Sequence, residues 1–89
     1  MKYYFDCRNL DTELSFHNQL AHALKFPEYY GKNFDALYDV LSEKNEKTEI
    51  CFLHSIQLQK CFGDRYVILM SVLNRLQDEN PEIHIAIKE

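Results

Sequence analysis

The sequence predicts an α/β fold: a three-stranded parallel sheet packed with helices, in the order βααβααβ. Two observations carry that prediction. Three short runs, KYYFD, TEICFL and IHIAIK, have the aromatic and β-branched character of strands. Between each pair of runs lie two segments with helical spacing of apolar residues, enough chain for a crossover and therefore for parallel pairing. Right-handed crossovers are expected. With 89 residues the chain is read as one domain, residues 1–89.

The first strand is assigned to Lys2–Asp6, short, aromatic and bounded by CRNLD. Asp11 or Thr12 supplies an N-cap for a first helix whose apolar face carries Phe16, Leu20, Ala23 and Leu24. Pro27 is expected to stop it, because the residue before a proline is pushed out of the helical region. Asn33 caps a second helix running to about Ser42, with Phe34, Leu37 and Leu41 inward. The run SEKNEK ends that helix, and TEICFL is apolar enough to suit a central strand covered on both faces. HSIQLQKCF reads as a short helix broken by Gly63, after which Asp64 is expected to cap YVILMSVLNRL. The Leu, Ile and Met stripe of that last helix is expected to be core. Pro81 closes it, and Ile83, Ile85 and Ile87 alternate along the third strand.

Composition narrows the function classes. Formal charge is −4, which argues against direct nucleic-acid binding, since phosphates require clustered Lys and Arg. A basic protein is the more natural partner. The start MKYYFDCRNLD lacks the apolar core of a secretory signal, and no apolar run is long enough for a membrane span, so a cytoplasmic location is expected. Cys7, Cys51 and Cys61 are odd in number and lack CxxC spacing; reduced, partly buried thiols are expected rather than a disulfide framework or zinc site.

The segment LKFPEYYGKNFDALYDVL carries the functional signal. Asp35 and Asp39 stand one helical turn apart, where like charges cost an isolated helix roughly 0.2–0.5 kcal/mol. At about 100° per residue they point away from Phe34, Leu37 and Leu41, with Tyr38 between the two faces and Tyr29 and Tyr30 in the preceding loop. The helix dipole favours Asp35 in the first turn and does little for Asp39. Lys32 is near enough in sequence to pair with an acid locally, for little net gain. Most exposed acids simply form a solvated face, yet aromatic anchors beside charges are typical of interface hot spots.

The string PEYYGKNFDALYD, residues 27–39, closely resembles the signature of the barstar family, intracellular inhibitors of secreted bacterial ribonucleases. FHNQL in the first helix, the strand order and the chain length agree with it. The resemblance implies a second helix and preceding loop that plug a ribonuclease active site, with acids in the place of RNA phosphates. It implies partner contacts at Tyr29, Asn33, Asp35, Tyr38 and Asp39, with Asp39 as central anchor and Tyr38 where the family often has tryptophan. Tyr30, Gly31, Ser42, Glu43, Arg75 and Glu79 are weaker contact candidates, and Gly31 is expected to supply a backbone angle other residues resist. Two departures stand out. Glu43 and Lys44 occupy positions where the family's best-known member has glycine and tryptophan, and Arg75 aligns with a family acid.

The expected function is therefore that of a stoichiometric inhibitor of a basic, secreted, barnase-like ribonuclease in a 1:1 complex, without cofactor. The altered rim motivates an alternative, a regulatory or immunity-type binding module for another cationic protein. Enzyme chemistry is not expected, because two acids on an exposed helix face lack the cleft and the raised pKa of an acid/base pair. His17, His22, His54 and His84 share no metal-binding spacing, and His17, beside the apolar stripe, is expected to be a hydrogen-bonded structural histidine. No glycine-rich phosphate loop is present.

Overall fold

The computed structural model describes residues Met1–Glu89. Its elements are β1 (Lys2–Asp6), α1 (Glu13–Leu24), α2 (Phe34–Ser42), β2 (Thr48–Leu53), α3 (Ile56–Phe62), α4 (Tyr66–Glu79) and β3 (Ile83–Ile87), with a 3-10 turn at Gly63–Arg65. The sheet is parallel in the order β1-β2-β3, pairing Tyr4 with Cys51 and Cys51 with Ala86. The βααβααβ architecture and the central place of β2 are as the sequence predicts.

Period-2 alternation decides which sheet face the helices cover. Phe5, Ile50, Phe52 and Ile83 point into the core, where Phe16 of α1 is fully buried with its ring edge-on to Phe5 and Phe62. Burying a side chain of this size contributes about 1.5–3 kcal/mol. On the opposite face Tyr4, His84 and Ala86 are exposed and Glu49 and Leu53 are half-buried. The helices cover one face of the sheet only, against the expectation for β2; on its other face Glu49 and Leu53 are half-buried, and Cys51, between Tyr4 and Ala86, is buried. The outer edge of β3 is blunted by Gln77 of α4, whose side-chain oxygen accepts from the Ile85 amide at 2.9 Å.

Thr12 caps α1 and exchanges hydrogen bonds with Ser15 in a capping box. The buried stripe is Phe16, His17, Leu20 and Leu24, rotated toward the side where Tyr30 packs, so Ala23 is exposed and Ala21 is half-buried. The helix ends before Pro27 acts: Lys25 turns left-handed at φ 57°. Asp64 does not cap α4. Gly63, at φ 56°, leads into the 3-10 turn, and Arg65 occupies the cap position with no side-chain bond.

The buried stripe of α4 is Leu69, Leu73 and Leu76, at the four- and three-residue steps that keep one helix face on the core. Met70 is half-buried, while Val67 and Ile68 are exposed, contrary to the expectation for an all-core Leu, Ile and Met stripe. No helix is long and apolar enough to cross a membrane.

Candidate functional site

Asn33 begins the site by ending the loop. Its Oδ1 accepts from the Ala36 amide at 2.7 Å, satisfying a free donor of the first turn, and its Nδ2 donates to the Gly31 carbonyl at 3.2 Å. Leu37 and Leu41 are fully buried and fix the rotation of α2, with Phe34 half-buried at its start. The rotation leaves Asp35 and Asp39 exposed on the opposite side, and neither forms an ion pair within the molecule. Lys32, near enough in sequence to pair with an acid, makes no ion pair either.

The C-terminal end of α2 is held by a residue far away in the chain. Asn80, at the end of α4, donates through Nδ2 to the carbonyls of Lys44 at 3.0 Å, Leu41 at 3.3 Å and Ser42 at 3.4 Å. Its Oδ1 accepts from the Glu82 amide at 3.0 Å. A buried side chain thus adds donors to the carbonyls at the helix end, of which Leu41 also accepts from the Lys44 amide at 3.2 Å. Ser42 adds a local bond from its hydroxyl to the Asp39 carbonyl at 3.0 Å.

The two loop tyrosines part ways. Tyr29 is 84 % exposed, whereas Tyr30 is buried, its hydroxyl 2.6 Å from Nδ1 of buried His17 and its ring 4.9 Å from that of Phe26. Tyr30 therefore anchors the loop that displays Tyr29 and is removed from the candidate contact surface. Burial raises the Tyr30 hydroxyl pKa and lowers that of the His17 imidazole, so the pair is held neutral. The structural role expected for His17 is what the structure shows.

Gly31 is needed for space rather than for its backbone angle. The left-handed residue is Lys32, at φ 55°, while a Cβ on Gly31 would lie 3.3 Å from that of Ala36 and 3.4 Å from Asn33 Nδ2. The loop and helix approach each other there too closely for a side chain to be added without a shift.

Between α2 and α4 runs an open groove of about 500 Å³ lined by Phe34, Asp35, Tyr38, Asp39, Ser71, Val72 and Arg75. Arg75 lies with its guanidinium carbon 4.7 Å from the centre of the Tyr38 ring, and its Nε donates to Glu79 Oε1 at 2.8 Å. The Tyr38 hydroxyl donates to the other oxygen of Glu79. Tyr38, Arg75 and Glu79 therefore form a closed unit that fixes the ring beside both aspartates. At the other end of α2, the Arg65 guanidinium covers the Phe34 ring at 5.0 Å and pairs with Glu13.

A family model described as Barstar (barnase inhibitor) matches residues 1–88. The chain belongs to the barstar family. A Bacillus subtilis (strain 168) protein named "Putative ribonuclease inhibitor YrdF" is 29% identical over 79 residues, covering 88% of this chain and 87% of the relative.

Within this barstar-family chain, the structure brings Asp35, Tyr38, Asp39 and Arg75 together at one groove, with Glu79 bonded to Tyr38 and Arg75; Asn33 caps the helix that carries the acids, and exposed Tyr29 stands in the loop before it. Glu43 lies past the end of α2, against a separate recess with Lys25, Phe26 and Lys44. Ser71 and Val72 are groove residues that the sequence did not single out, although they lie four and three residues before Arg75, the spacing that shares one helix face. Asn80 had no comparable signal, since the carbonyls it holds are 36–39 residues away.

The cysteines stand apart from the groove. Cys7 is fully buried, and burial, with smaller contributions from Asp6 and Cys61, pushes its thiol up to about 12. Cys51 is buried and Cys61 half-buried, the latter also raised by burial. Such thiols are poor nucleophiles.

Proposed function

We propose that this chain inhibits a basic, secreted, barnase-like ribonuclease by seating the acidic face of α2, with the Tyr29 loop, in its active site as a 1:1 complex inside the producing cell. The observation that carries the reading is the pair Asp35 and Asp39: exposed, in no ion pair within the molecule, on a helix capped at both ends and fixed by a buried face. Two anions held that way match a site built to bind phosphates, and the family's printed description, barnase inhibitor, supports the same partner class. The inhibitor makes no covalent change and requires no cofactor.

The family resemblance makes Asp39 the central anchor, and its place in the groove beside Tyr38 is compatible with that role. Close charge pairs in the family's best-studied complex, barnase with barstar, couple by about 1.5–7 kcal/mol, a scale that belongs to that complex and sets only the expected order of magnitude for this one. The test is inhibition of RNA cleavage by Asp39→Ala and Glu43→Ala. Asp39→Ala is expected to weaken inhibition by several kcal/mol and Glu43→Ala far less. Equal, small effects would remove the α2-centred reading.

A further inference from the structure

We infer that Arg75 selects the partner by receiving a carboxylate of the ribonuclease next to the cations that receive Asp35 and Asp39. The inference deepens the proposed reading and rests on it. Its basis is which nitrogens of Arg75 are used. Nε is bonded to Glu79 and the guanidinium plane is placed over the Tyr38 ring, while the two terminal nitrogens make no hydrogen bond within the molecule. These nitrogens form a planar donor fork that fits a carboxylate bidentately. The side chain is 66 % exposed, so the fork is reachable, and it lines the same groove as both aspartates.

A ribonuclease that covers the groove must take Arg75 out of water. Glu79 compensates one edge of the guanidinium and leaves the fork unmet, and a desolvated charge without a partner is costly. A partner presenting only cations to this face is therefore disfavoured. The complementary surface is bipolar: Lys or Arg against Asp35 and Asp39, and Asp or Glu against Arg75. Contacts to Tyr38 and Glu79 already limit the long side chain, which lowers the ordering cost of recognition.

The alternative role is purely internal, with Arg75 bracing Tyr38, and Glu79→Gln separates the two. Glutamine still accepts from Arg75 through its amide oxygen, and its amide nitrogen, standing where the second carboxylate oxygen was, donates to the Tyr38 hydroxyl, so the brace persists while the compensating charge is gone. The experiment measures association and dissociation rates, and inhibition, for the full-length wild type, Asp39→Ala, Arg75→Gln, Arg75→Glu and Glu79→Gln. The probe is whichever basic secreted bacterial ribonuclease the wild type inhibits most tightly, and far-UV circular dichroism checks the fold of each variant.

Arg75→Gln is expected to speed dissociation by about tenfold or more, the equivalent of about 1.4 kcal/mol. Glu79→Gln is expected to slow dissociation. Arg75→Glu makes the chain two charges more negative, so it associates faster with a basic protein yet dissociates fastest of all. Changing the facing acid of the ribonuclease to Arg is expected to restore the Arg75→Glu complex. Faster dissociation in both Arg75→Gln and Glu79→Gln would show that Arg75 only braces Tyr38. A tighter complex with Arg75→Glu, alongside loss of inhibition by Asp39→Ala, would overturn this inference and leave the proposed function standing. Unchanged inhibition by Asp39→Ala, or no ribonuclease inhibited by the wild type, would overturn both.

Discussion

Asn80→Ala removes one side chain and releases both the end of α2 and the entry to β3. Two of its bonds, to the Lys44 carbonyl and from the Glu82 amide, are 3.0 Å long, and each is worth about 1 kcal/mol net. The contacts to Leu41 and Ser42 are longer, and the Leu41 carbonyl keeps the Lys44 amide as a donor, so these two add little. The expected loss is about 2–3 kcal/mol. For a domain of this size that lowers Tm by roughly 10–20 °C. Urea unfolding followed by far-UV circular dichroism reads the difference, with an unchanged m value expected. Asn80→Asp adds a sharper control: it keeps the acceptor for Glu82 but sets a carboxylate against three carbonyl oxygens. At pH 7 it is expected to be no more stable than Asn80→Ala, and to gain relative to it in acid. A loss under about 0.5 kcal/mol for Asn80→Ala, within the range of ordinary surface substitutions, would refute the reasoning. So would wild-type stability in Asn80→Asp.

Three further outcomes concern the Tyr29 loop and the anchor beneath it. Burial holds the His17 pKa below its ordinary 6.5, so the unfolded chain binds a proton that the native state resists. Its contribution is fully present above pH 6.5 and declines as pH falls through the interval below; urea midpoints at pH 7.5 and 5.5 are expected to show the decline, and less of it in His17→Gln. A midpoint that rises at pH 5.5 in the wild type and not in His17→Gln would contradict the assignment. Tyr30→Phe deletes the 2.6 Å bond to His17 and leaves a buried nitrogen without its partner, an expected cost of about 1–3 kcal/mol in the same assay. Tyr29→Ala, at an 84 % exposed position, is expected to change stability by less than about 0.5 kcal/mol.

The sequence was most informative where structure is local. Asn33 carries its own acceptor to the Ala36 amide three residues on, and Leu37 and Leu41 repeat at helical spacing, so α2 and its acidic face are legible from one short segment. Parallel pairing followed from the lengths of the connections, and the central place of β2 from the apolar run TEICFL. The failures share a cause, because each depends on partners that the local pattern does not reveal. Tyr29 and Tyr30 are adjacent in a loop with no periodicity, and His17, on another element, decides which one turns inward. The left-handed angle expected at Gly31 falls one residue later, at Lys32, while Ala36 crowds the glycine. Arg75 read alone is a reversed charge that would repel a basic enzyme. Its bond to Glu79 and its place over Tyr38 engage one edge of the guanidinium and leave its two terminal nitrogens without a hydrogen bond in the molecule.

The central claim is that the Asp35 and Asp39 face closes a ribonuclease active site. Titrating the purified chain into a panel of basic secreted bacterial ribonucleases, with RNA cleavage as the readout, tests it most directly. The expected result is complete inhibition of at least one of them at one equivalent, with association slowing as salt screens the acids. Full RNA cleavage by every ribonuclease at many equivalents, with capture of a non-nuclease cationic protein on the same face, would contradict it.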